Sequence, residues 1–150
     1  MDLDQLKKLM EDFIPFNRHL GIKIAALESG SAHLTLPFRD YFVGDPLRPA
    51  LHGGVLSTMA DVAGGMAVWT NLPDPRARVS TIDLRVDYLR PARLETLDAT
   101  ALVVRQGNRV GVVDVKLFHP DRPDEVIATG KGVYNVTLVK DAHAPGLPKP

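Results

Sequence analysis

Apolar and polar residues change their period along this chain, and the changes mark its elements. Leu3, Leu6, Leu9, Met10, Phe13 and Ile14 recur at spacings of three and four, the stripe of an amphipathic helix, which Pro15 is expected to end. Residues 21–30 (GIKIAALESG) and 31–38 (SAHLTLPF) read as two short strands joined by a Glu-Ser-Gly turn. Residues 39–50 hold Gly44, Pro46 and Pro49 and read as loop. A largely apolar run follows, LHGGVLSTMADVAGGMAVW, whose helix is expected over about residues 53–69.

Beyond NLPDPRARV the pattern turns to β. In STIDLRVDYLR, residues 80–90, strict alternation puts Ile82, Leu84, Val86 and Tyr88 on one face and Thr81, Asp83, Arg85 and Asp87 on the other. Residues 95–105 and 109–119 read as two further strands joined through Gln106-Gly107-Asn108, and residues 125–139 as a last one. The skeleton is thus helix, two strands, one long apolar helix, four strands. A single long apolar helix needs a broad sheet to cover it, so the expected class is α+β, an antiparallel sheet wrapped around a central helix. Residues 1–139 form one domain, and the Pro-rich stretch 140–150 (KDAHAPGLPKP) is predicted to be disordered.

Charge and composition narrow the function. Lys plus Arg equals Asp plus Glu at 18 each, so no global field attracts nucleic acid or an anionic membrane. The absence of cysteine excludes disulfides, thiolate metal sites and a cysteine nucleophile. The charged start, MDLDQLKKLMEDF, does not read as a signal peptide, and no apolar run reaches the roughly 18 residues of a membrane span, so a soluble cytoplasmic protein is expected.

The long helix carries the candidate chemistry. At 100° per residue, Gly54, Ser57, Thr58, Gly64, Gly65 and Val68 fall within about 60° of Asp61. Val55, Leu56, Met59, Val62, Ala63 and Met66 fall opposite, on the face expected to meet the sheet. Each mid-helix glycine costs about 1 kcal/mol relative to alanine, so something slim should lie against the small stripe, either a second helix in a dimer or a thin ligand. His52-Gly53-Gly54 stands where unpaired N–H groups and partial positive charge could hold a developing oxyanion. His52 and Asp61 lie on opposite-pointing parts of the helix and no second ligand pair has metal spacing, so no metal is expected.

Together these segments resemble the hotdog-fold acyl-CoA thioesterases of the phenylacetate-pathway (PaaI-like) type. The likeness is carried by PFNRHLGIKI at 15–24, LHGGVLSTMADVAGGMAV at 51–68, STIDLRVDYLRPAR at 80–93 and ATGKGVYNV at 128–136. It implies a sheet wrapped around one helix, homodimers formed by edge pairing, and active sites at the subunit interface. Whether dimers pair again into a homotetramer stays open, since the face of Thr81, Asp83, Arg85 and Asp87 could be solvated or pack on another dimer. It also implies that Gly53 N–H polarises the thioester carbonyl, His52 shapes the turn, Asp61 is the catalytic carboxylate and Thr81 helps to place water or substrate. Pro46 is a departure, since the family commonly has an amide side chain there. Coenzyme A enters only as part of the substrate, and no separate cofactor is implied.

Gly53 and Asp61 are eight residues apart, about 12 Å along a helix, and an aspartate cannot span that gap. If both serve one thioester they come from different chains, with two helices antiparallel across a two-fold axis. Gly54, Ser57, Thr58, Gly64 and Gly65 would then line the channel. Thr58 or Thr81 would hydrogen-bond Asp61. Arg90, Arg93, Arg109 and Lys131 are the candidates for the phosphates of the CoA nucleotide. Val68, Trp69, Tyr41 and Phe42 are candidates for a pocket wall, or for core and loop anchors. Two rival functions remain on the same scaffold: an enoyl-thioester hydratase or dehydratase, and a non-catalytic acyl-thioester binder.

Overall fold

In the computed structural model, residues 2–74 and 76–138 are described, so the predicted tail, 140–150, lies outside the described residues. Three α-helices occur in chain order: α1, Leu3–Lys8; α2, Pro15–Leu20; and α3, Gly53–Thr70. The strands are β1, Lys23–Glu28; β2, Ser31–Leu36; β3, Val43–Asp45; β4, Ala50–Leu51; β5, Arg78–Tyr88; β6, Leu97–Gln106; β7, Val110–Phe118; and β8, Ala128–Thr137. Six of them form an antiparallel sheet in the order β1-β2-β6-β7-β8-β5, and β3 pairs with β4. The sheet curls around α3, as expected of a hotdog fold. Leu56, Met59, Ala60, Ala63, Met66 and Ala67 of α3 are buried in one core with Leu34, Leu97, Ala99, Val113, Val115 and Leu117 of the sheet.

Pro15 does more than end the first helix. Asp2 caps α1, whose last turn widens into a π-turn over Leu9–Phe13. Ile14 is extended, at φ −85° and ψ 108°, the conformation forced on a residue before proline. Pro15 then opens α2 at a position where the missing N–H costs nothing, so the chain turns and continues helical instead of stopping. Gly21, at φ 79°, closes α2 in the left-handed conformation that glycine tolerates best.

The segment between α1 and α2 is tied to the sheet. Glu11 accepts from Ile24 N–H at 2.8 Å and from Lys23 Nζ at 3.2 Å. Burial works to raise its carboxyl, but these donors outweigh it and hold Glu11 below its usual value of 4.5. A carboxylate with a lowered folded pKa stabilises fully above the unfolded value and loses that contribution as pH falls through the folded one. The protection of the Ile24 amide against hydrogen exchange, relative to its intrinsic rate at each pH, should therefore fall as the pH drops below 4.5. Glu11→Gln should remove that pH step; a step of the same size in the variant would refute the tether.

The stretch expected as loop, residues 39–50, contains the short β3–β4 ladder. Its function in the fold is to seat the start of α3: His52 N–H donates to Phe42 C=O at 2.8 Å, and Leu51 N–H to Ala92 C=O at 2.9 Å. Gly44 is needed there because a Cβ would lie 2.9 Å from His52 N.

The clean alternation read in β5 is broken. A bulge between Thr81 and Asp83 leaves Ile82 without a partner on β8. Val79 and Thr81 stand opposite Val136 and Tyr134, and after the bulge Leu84 and Val86 stand opposite Gly132 and Gly130, all on the α3 side. The extra residue shifts the phase by one, so Thr81 joins the face of Leu84 and Val86, and Ile82 is 59 % exposed. β5 is also an end strand of the sheet, with one long edge unpaired among the described residues.

Candidate active site

The wheel also needs turning. Gly64 and Val68, placed by the sequence on the small stripe, are buried. A Cβ on Gly64 would lie 2.9 Å from both Tyr134 Cζ and Val113 Cγ2, so this glycine makes room for a tyrosine of its own chain rather than for a ligand or a second helix. Val68 packs on Gly111, where an added Cβ would come within 2.7 Å of it. The face of α3 left uncovered consists of Gly54, Val55, Thr58, Asp61, Val62, Gly65 and Trp69, all lining cavities. Its centre is rotated by about 60° from the predicted stripe, toward the valines and the tryptophan.

Asp61 sits midway along this face. Thr81 Oγ1 donates to its Oδ1 at 2.7 Å. The Tyr134 hydroxyl, opposite Thr81 on β8, shares its proton between Asp61 C=O at 2.9 Å and Oδ1 at 3.3 Å. Burial, and then the Asp61 charge, push the Tyr134 phenol far above its ordinary range, so it stays a donor. Among the described residues Oδ2 accepts no hydrogen bond. One carboxylate oxygen is thus fixed by two hydroxyls while the other is left free. Tyr134 was not among the residues singled out from the sequence, because no helical or strand period links positions 73 apart. The Tyr following two glycines in GKGVYNV was the available signal, since Gly64 and Gly132 both leave room for its ring.

At the start of α3, His52 is the N-cap. Its Nδ1 accepts from Gly54 N–H at 2.9 Å, which places the ring proton on Nε2 in the neutral form. Gly54 lacks a Cβ because one would come 2.9 Å from that nitrogen. With Gly54 engaged, Gly53 N–H at the first helical position is left without an acceptor among the described residues. Tyr88 lies over the same turn, its hydroxyl bonded to Ser57 Oγ and, at 3.2 Å, to Gly53 C=O. Thr58 does not reach Asp61; its hydroxyl donates to Gly54 C=O at 2.8 Å. Thr81 alone of the two candidates bonds the carboxylate.

Two cavities run along the open face of α3. One of about 300 Å³ lies at the helix start, against Phe16, Tyr41, Phe42 and His52. The other, about 220 Å³, holds Asp61, Thr81, Tyr134, Gly65 and Trp69. Of the pocket-wall candidates, Trp69 thus faces Asp61, Tyr41 and Phe42 stand at the other end, and Val68 belongs to the core.

The four candidate phosphate ligands are not brought together here. Arg90 pairs with Glu125 at 3.1 Å, and Arg93 with Asp121 at 2.8 Å and Glu95 at 3.1 Å, around a separate small cavity beside His119. Lys131 stands opposite Arg85 on the outer face of the sheet and pairs with Asp114 at 2.6 Å. Arg109 is exposed beside the β6–β7 turn. At the family's amide position, Pro46 follows Asp45, whose carboxylate is taken by Leu47 N–H, Arg48 N–H and the Arg48 side chain. Among the described residues no group of three acidic or histidine side chains is placed to hold a metal, and no helix is long and apolar enough to cross a membrane.

Known proteins are similar to this chain in sequence and fold. The model of the thioesterase superfamily matches residues 49–126, the span from the β3–β4 loop through α3, β5, β6 and β7. The medium/long-chain acyl-CoA thioesterase YigI of Escherichia coli is 36 % identical over 146 residues, 87 % of this chain and 93 % of that one. The acyl-coenzyme A thioesterase PaaI of the same organism is 31 % identical over 113 residues, 75 % of this chain and 76 % of that one. A crystal structure of a Shewanella oneidensis protein related to the thioesterase superfamily superposes with a TM-score of 0.81 at 30 % identity, covering 90 % of this chain and 95 % of that one. A hotdog sheet around a helix that starts His-Gly-Gly and carries a hydroxyl-held aspartate, with relatives of this similarity over most of its length, makes this chain a member of the thioesterase superfamily.

Proposed function

We propose that this chain is an acyl-CoA thioesterase that works as a homodimer, with Gly53 of one protomer and Asp61 of the other acting on one thioester. The observation that carries the reading is the pair of unmet groups on one helix. Gly53 keeps a free N–H because His52 occupies its neighbour, and Asp61 keeps a free oxygen because Thr81 and Tyr134 both hold the other. The N–H, aided by the helix dipole, stabilises the oxyanion. The free carboxylate oxygen takes a proton from water as general base, or attacks the carbonyl carbon to give a mixed anhydride. Either route ends in free acid and CoA thiol.

Dimerisation is supported by the unpaired edge of β5, with Ile82, Tyr88 and Leu89 all more than half exposed along or just past it. Two α3 helices related by a two-fold axis would oppose Gly53 to Asp61, a distance one chain cannot close. Arg109, not engaged in an ion pair among the described residues, is the candidate that needs no partner exchanged to meet a phosphate. The names of YigI and PaaI point to the same substrate class.

Release of free thiol from a panel of acyl-CoA esters tests the reading directly. Turnover with at least one acyl group is expected. Tight binding of acyl-CoA with no thiol released would make the chain a binding module, and loss of enoyl absorbance without thiol release would make it a hydratase.

A further inference from the structure

The Asp61 cavity has three walls. Helix α3 supplies Val62, Met66 and Trp69 beside Asp61, the sheet supplies Val79, Thr81 and Tyr134, and the segment ahead of β1 supplies Met10, Ile14 and Asn17. That third wall lies outside residues 49–126, the part of the chain common to the family model. It is also pinned in place. Asn17, only 3 % exposed, donates from Nδ2 to Met10 C=O at 3.2 Å, and Glu11 is bonded to β1. Helix α2 then works as a partition: Ile14 and Asn17 border the Asp61 cavity, while Phe16, His19 and Leu20 border the other one.

We propose that this N-terminal segment, together with Trp69, sets the size of the acyl group: the Asp61 cavity is the acyl chamber, and Met10 and Ile14 limit its depth. The proposal rests on the thioesterase reading. A thioester carbonyl carries two arms. The sulfur arm ends in a phosphorylated nucleotide that must stay in water, whereas the acyl arm is apolar. With the carbonyl held at the polar end beside Asp61, Thr81 and Tyr134, a chamber walled mainly by methionine, isoleucine, valine and tryptophan shelters the acyl arm alone. At about 220 Å³ the chamber exceeds the roughly 150 Å³ cavity that holds a benzene ring, so it accommodates about six to eight carbons.

Trp69 is the chain's single tryptophan, so its fluorescence reports on this chamber alone. Asp61→Asn protein is titrated with non-hydrolysable S-alkyl-CoA thioethers from ethyl to dodecyl, and wild type is assayed for thiol release over the matching acyl series. Each added methylene should tighten binding about fourfold until the chamber is full, with the tryptophan emission shifting, and then give no further gain. Met10→Ala and Ile14→Ala, each made alone so that one folding failure leaves the other, should move that break to longer chains in both assays. Octyl-CoA binding seen by calorimetry without a change in tryptophan emission would overturn the proposal. So would a break left unmoved in the folded variants while wild type still releases thiol, and in that case the thioesterase reading survives. If wild type neither binds the series nor releases thiol, both fall together.

Discussion

Two inactive variants should recover activity when mixed. Gly53→Pro deletes one N–H at the first position of α3, where proline is well tolerated, and His52 already has the φ of −63° and ψ of 135° that a residue before proline adopts. A Cβ there meets nothing closer than 3.4 Å, so the variant should fold. Losing the oxyanion donor should lower kcat by about two to three orders of magnitude. Asp61→Asn keeps the shape of the side chain and its Thr81 contact but removes the base; kcat should fall by about two to four orders, with KM nearly unchanged. In a mixed dimer one site carries both lesions and the other carries neither. Random pairing makes half the dimers mixed, so about one quarter of wild-type activity should return on mixing. Dissociated and reassociated, or co-expressed with different tags, the pair gives a clear reading: activity no higher than that of the two parents would place both groups in one chain, and a monomer that turns over at the full rate would do the same.

The second large effect is expected in the core. Gly64→Ala should gain about 1 kcal/mol of helix propensity. It should lose more, because the new methyl meets the Tyr134 ring and Val113 Cγ2 at distances where something must move, and overpacking of this kind costs about 1 to 3 kcal/mol. A net loss of up to about 2 kcal/mol in denaturant unfolding is the expected result, together with a drop in kcat as the displaced phenol leaves Asp61. Gly64→Ala with Tyr134→Phe should be less destabilised than the sum of the two changes, since the hydroxyl is the first atom in the way. A Gly64→Ala protein as stable and active as wild type would show that the glycine serves something other than the tyrosine.

The cations show where sequence reading ran out. Arg90, Arg93 and Lys131 stand near the right segments, but a charge is available to a ligand only if no carboxylate reaches it first. Glu125, Asp121 and Asp114 do reach them, across contacts set by strand pairing and loop closure. Thr58 was lost as a partner of Asp61 for a similar reason, since a hydroxyl inside a helix finds the carbonyl four residues back closer than any side chain on the next turn. Thr81 was reached through the family resemblance, while its strand alternation put it on the wrong face.

What the sequence determined by itself was the longer elements, whose patterns depend on neighbours along the chain. Helical spacing marked α1 and α3, alternation marked the strands, and the eight residues between Gly53 and Asp61 set the two groups farther apart than one aspartate can reach. Tertiary structure decided the rest. The bulge at Ile82 reversed the faces of β5, the curl of the sheet turned the open side of α3 toward Val55, Val62 and Trp69, and Tyr134 came from 73 residues away to hold the carboxylate. The reason is physical: periodicity is set by local backbone geometry, whereas register, burial and the partners of a charge follow from which distant surfaces close on one another.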